Sequence, residues 1–135
     1  MHGDDLVSRC LAVPDEDLNR SWTQLRDSLA ERFGPNLGIE GILFLIGIQE
    51  SGLGYEPRLR KERKQDLIML GTHHALETLG IYRRVDAEGD ESGWRREVGV
   101  PRLPIDDQEK LLRIGIIRYF AARDGSVQSV DIPST

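Results

Sequence analysis

A chain of 135 residues with 39% apolar and 30% charged residues has the size and balance of one globular domain able to bury a core without disulfide staples. Its one cysteine, Cys10, excludes an internal disulfide and a cysteine-based zinc cluster. The net charge is −5, unevenly placed: residues 1–56 hold ten acids against four bases, residues 57–102 ten bases against eight acids, and residues 103–135 five acids against four bases. Such a chain lacks the broad basic field that holds nucleic acid.

The acidic start, from Met1 to Asp5, has no apolar stretch behind it and is unlike a signal peptide. The longest apolar run, residues 42–48, is far too short to span a bilayer, so a cytoplasmic location is expected. Residues 1–14 are polar and end at Pro14, which reads as a loose lead-in. A single globular domain is predicted over residues 15–124, with a polar, frayed tail over residues 125–135.

The first predicted helix starts between Asp15 and Asn19 and ends at Phe33. Leu18, Trp22, Leu25, Leu29 and Phe33 form a narrow stripe, and Gly34-Pro35 stops it. Residues 39–49 are apolar on nearly every side, so periodicity alone allows a buried helix or a buried strand. Their place between helices, with Glu40, Gln49 and Glu50 at the ends, favours helix. Inside it Gly41 and Gly47 would each cost about 1 kcal/mol relative to alanine, which points to close packing against a neighbour.

A loop follows at residues 51–54, then five bases in seven residues: Arg58, Arg60, Lys61, Arg63 and Lys64. That run reads as a solvated helix start balanced by nearby acids, or as a small anion or partner site, since bases at a helix N-terminus oppose its dipole. The third helix begins near Lys64 and carries Leu67, Ile68, Gly71, Ala75 and Leu79 on one face, with Gly80 at its left-handed stop. Residues 81–85 and 94–98 are strand-like and are joined across the turn-forming residues 88–93. Beyond an extended connector, Asp106 or Asp107 is predicted to cap a fourth helix, with Glu109 completing a capping box to Asp106, and the helix runs to about Arg123. The predicted fold is α+β and mostly α: four helices with one β-hairpin between the third and fourth.

A helix feeding a hairpin with Arg83, Arg84, Arg95 and Arg96 on its arms resembles a winged-helix DNA-binding unit. In such a unit the solvent face of the third helix enters the major groove. Here that face carries Asp66, Leu70, His73 and Glu77, and four of the six residues 86–91 at the hairpin tip are acidic. Carboxylates there would face phosphates, so nucleic-acid binding is the alternative rather than the leading function. The four arginines remain the candidate binding residues.

Gln49-Glu50-Ser51-Gly52 after an apolar helix resembles the Glu-Ser element of lytic transglycosylases and related lysozyme-fold enzymes. That resemblance implies a glycosidic-bond-cleaving enzyme with Glu50 as general acid, kept protonated by a poorly solvated pocket. The downstream Gly-Leu-Met-Gln element of those enzymes is missing. Glu50 otherwise reads as a helix-end carboxylate that tolerates Gln within about 1 kcal/mol. His73 and Glu77, one helical turn apart, are the candidate metal pair. No phosphate loop, nucleophile elbow or cofactor motif occurs, and no cofactor is expected.

The last two predicted helices carry more apolar surface than one peripheral helix face needs, including Leu70, Ile116 and Ile117. Exposing several such side chains is unfavourable by about 1.5–3 kcal/mol each, so either the hairpin and connector or a second copy covers them; the dimer is favoured, with these three in its interface. Phe44-Leu45-Ile46-Gly47 with Gln49-Glu50, Lys64-Gln65-Asp66-Leu67, Gly93-Trp94, and Ile116-Ile117 with Tyr119-Phe120 resemble a family of small bacterial proteins without an assigned activity. The resemblance implies that Gly93-Trp94 fixes the hairpin onto the core. The expected function is a non-enzymatic protein–protein interaction or assembly module, with no membrane partner.

Overall fold

The computed structural model describes residues 3–52, 60–85, 93–100, 102–125 and 127–133. In chain order these form α1 (Gly3–Leu11), α2 (Asp15–Phe33), α3 (Ile39–Ser51), α4 (Lys61–Glu77), β1 (Tyr82–Arg84), β2 (Trp94–Arg96) and α5 (Ile105–Asp124). The mostly helical α+β architecture with a hairpin before the last helix is as predicted, with one further helix at the start.

That extra helix corrects the reading of residues 1–14 as a lead-in. Leu6, Val7 and Cys10 of α1 are buried, and so is Val13 just after it. Their spacing of one, three and three residues is an amphipathic signal masked by the acidic start. The thiol of Cys10 is fully buried, and that burial pushes its pKa up, so it is a packing group. The tail is also corrected, because Val127 and Val130 are buried in the same core.

The stripe of α2 buries Leu18, Trp22, Leu25 and Leu29, and Gly34 ends the helix at φ 90°. Phe33, the last residue of the stripe, remains 49% exposed. Residues 39–49 are helical, within α3, and this helix packs most extensively on α4. Two glycines make that contact close: a Cβ on Gly47 would land on the Leu67 carbonyl, and one on Gly71 would land on the Leu43 carbonyl. Each glycine therefore faces the backbone of the opposite helix.

α4 starts three residues before the predicted Lys64, and Gly80 adopts φ 83° at its far end. Arg60 and the bases Lys61, Arg63 and Lys64 are exposed, whereas Arg58 lies outside the described residues. The hairpin pairs Tyr82 with Arg96, Arg83 with Arg95 and Arg84 with Trp94. The Val85 N–H donates to the Gly93 carbonyl at 2.7 Å, and the Glu97 N–H donates to the Ile81 carbonyl at 2.9 Å. The acidic tip, residues 86–92, lies outside the described residues.

α5 is the axis of the core rather than a peripheral helix, with α1, α2, α3 and α4 all against it. Ile114, Ile116 and Ile117 have no exposed surface. Ile116 and Ile117 were expected to face a second copy, but their own chain covers them; that assignment is corrected. Leu70 on α4 is half-buried, and its neighbour Met69 is 56% exposed. The predicted capping box is absent too. Pro104 is the N-cap of α5, no side chain caps it, and the Pro104 carbonyl accepts the N–H groups of Asp107 and Gln108. Among the described residues no helix is long and apolar enough to cross a membrane.

Candidate functional site

Glu50 sits one residue before the end of α3, where Gly52 turns left-handed at φ 73°. This places its carboxylate against α4 and α5, with only 13% of the side chain exposed. Tyr119 Oη donates to Glu50 Oε2 at 2.5 Å, and the Arg123 guanidinium pairs with the same oxygen. Arg123 Nε also donates to Tyr119 Oη at 3.2 Å, and its guanidinium carbon lies 5.2 Å from the Tyr119 ring centre. The two groups on α5 are four residues apart, so one helix face presents both.

On the other side, His74 Nδ1 lies 3.6 Å from Glu50 Oε1 and 3.6 Å from Glu77 Oε1. Those separations are ion-pair distances, too long for direct hydrogen bonds. Among the described residues Nε2 of His74 is buried without a hydrogen-bond partner, and the ring stands edge-on to Trp94 at 4.8 Å. Burial lowers the His74 pKa, Glu77 opposes that shift, and Arg84 adds to it.

The arrangement fits a structural lock better than an acid catalyst. A glycosidase acid must hold its proton, whereas the guanidinium and phenol on Oε2 are partners for a carboxylate. Glu50 instead joins α3 to α5 across 69 residues of sequence. Its burial and pairing raise the cost expected of Glu50→Gln above that of a solvated helix-end residue, because an NH2 group would replace one of the two oxygens in a packed site. Tyr119 provides the test. Burial pushes its pKa up to about 12, so ionising it opposes the fold. The folded pKa lies above the unfolded value near 10, so this stabilisation is complete below pH 10 and lost as pH rises toward 12. A shift of about two units sets an upper limit of roughly 3 kcal/mol, which solvent screening at the edge of the site lowers. Urea denaturation across this range should show that loss, and Tyr119→Phe should remove it while lowering stability at pH 7 by about 1–2 kcal/mol.

The candidate metal pair is not assembled. The His73 ring packs 4.7 Å from Tyr82 and 5.2 Å from Trp94, while Glu77 faces His74, three residues away rather than four. No group of three His, Cys, Asp or Glu side chains suited to a metal occurs among the described residues. Trp94 is half-buried, and its ring packs on both histidines of α4. The four hairpin arginines separate. Arg83 pairs with Glu97 at 2.8 Å, Arg84 lines the shallow cleft beside His74, and Arg95 and Arg96 are exposed on β2.

The sequence reading missed a groove between α2 and α3, with a volume of about 580 Å³. Phe33, Leu37, Phe44, Leu45 and Ile48 form much of its wall, with Leu29 and Phe120 also lining it and Arg32 and Gln49 as its polar members. Its signal was present in residues 39–49. A helix apolar on all sides needs cover on all sides. The inner face of α3 (Ile42, Leu43, Ile46, Gly47) is buried, but Phe44, Leu45 and Ile48 are only half-buried. Comparison with family models, curated proteins and solved structures finds no match to this chain.

Proposed function

We propose that the protein is a non-enzymatic assembly module that pairs with a second copy through the outer face of α3. The observation that carries this reading is the apolar groove. Phe44, Leu45 and Ile48 lie on the most apolar helix of the chain, and exposed Phe33 adjoins them. An apolar groove with an exposed aromatic in its wall suits a two-fold interface, in which each copy offers the same face. The flanking residues Glu31, Arg32 and Glu40 carry both signs, so two like faces do not strongly repel.

Sedimentation velocity at micromolar concentration should report a dimer. Leu45→Glu should give a monomer of unchanged helical content, since a glutamate on this half-buried face is desolvated only by the partner. A wild-type chain that stays monomeric at its highest soluble concentration would overturn the proposal.

The winged-helix reading has less support. Asp66 and Glu77 are exposed on α4, and Arg83 is neutralised by Glu97. A cytoplasmic setting fits an assembly role and belongs to the same proposal.

A further inference from the structure

A second cavity, of about 280 Å³, lies under the hairpin and the connector that follows it. Its walls are apolar: Leu76 from α4, Ile81 before β1, Val100 and Leu103 from the connector, and Leu111 and Leu112 from α5. Two arginines, Arg96 and Arg102, also line it, and both are exposed. Among the described residues no acidic side chain lines it. Arg83 shows the contrast, because on the neighbouring strand a carboxylate answers it at 2.8 Å. Among the described residues neither Arg96 nor Arg102 has an ion-pair partner. The Arg96 guanidinium carbon lies 6.0 Å from the Tyr82 ring centre.

Hydrogen bonds to the backbone tie two of its lining segments in place. Gln108 Nε2 donates to the Leu103 carbonyl at 2.7 Å, tying the connector to the first turns of α5. The Ile81 carbonyl, before β1, accepts the Glu97 N–H. An apolar recess with a few charged groups at its rim is the general form of a small-molecule site. Planar guanidinium groups match a carboxylate through paired hydrogen bonds, and the apolar walls call for a hydrocarbon or aromatic body behind it.

We propose that this cavity binds a small organic carboxylate with an apolar tail, the acid at Arg96 and Arg102 and the tail against Leu76, Leu111 and Leu112. A free acid and the C-terminal leucine of a peptide present the same chemistry. This site is separate from the α3 groove and does not depend on dimerisation.

Titration of the full chain with octanoate, below its micelle concentration, followed by amide and methyl NMR, tests the assignment. Shifts should appear at Leu112, Val100 and Arg96 with one-to-one stoichiometry. Octanol and acetate should each bind about tenfold or more weakly, because each lacks one half of the recognition. The double variant Arg96→Ala with Arg102→Ala should weaken octanoate binding by a similar factor. Both side chains are exposed, so its amide spectrum should remain that of the folded protein. A short peptide ending in leucine, compared with its C-terminal amide, separates the two sources: preference for the free peptide acid over octanoate would assign the site to chain termini. No shift at millimolar octanoate, equal affinity for octanol, or unchanged binding by the double variant would overturn the proposal.

Discussion

Gly71→Ala should destabilise the protein by about 3 kcal/mol, although helix propensity alone predicts a gain of about 1 kcal/mol. The added methyl would land on the Leu43 carbonyl, and Gly47 faces Leu67 in the same way from the opposite helix. Backbone cannot rotate aside as a side chain does, so α3 and α4 must separate along their most extensive contact. Gly41→Ala is the control within α3. Its new methyl meets only the Cδ2 end of Leu37, at 2.8 Å, and that flexible group can move away. Urea titrations should therefore show the midpoint falling sharply for Gly71→Ala and holding or rising for Gly41→Ala, with the same slope in both. Equal midpoints would mean that the two helices are not in backbone contact.

Ile117→Asp should prevent folding rather than dissociate an assembly. Ile117 has no exposed surface, so the substitution removes a fully packed side chain and places a carboxylate in an apolar site without a partner. Each effect is worth several kcal/mol, and their sum approaches the whole stability of a domain, about 5–15 kcal/mol. Circular dichroism should show lost helix at neutral pH. Leu45→Glu, on the half-buried face of α3, should keep its helix and change only the association state. A folded, monomeric Ile117→Asp would instead return α5 to the interface.

Local elements were legible because their signals are local. The stripe from Leu18 to Leu29, the stops at Gly34 and Gly80, and the hairpin arms around Tyr82 and Trp94 each rest on residues within a few positions of one another. Leu6, Val7 and Cys10 were legible too, but a short helix with an acidic start does not announce that it packs. Where helix formation ends and cover begins, the local signal stops. An apolar helix needs burial on every side, yet nothing in Ile114, Ile116 or Ile117 says whether its own chain or a second copy supplies it. The same composition placed α5 in the centre and left the outer face of α3 lining a groove.

By itself the sequence determined the order and type of the main elements, the tight turns, and the absence of a disulfide framework. Tertiary structure alone decided that α1 and the residues around Val127 and Val130 complete the cover of α5. It also decided that Glu50 meets Tyr119 and Arg123, and that Gly47 and Gly71 face carbonyls across a helix pair. The reason is distance along the chain. Propensity, capping and turn chemistry act between near neighbours, whereas burial, ion pairing and backbone approach are properties of residues that become neighbours after folding.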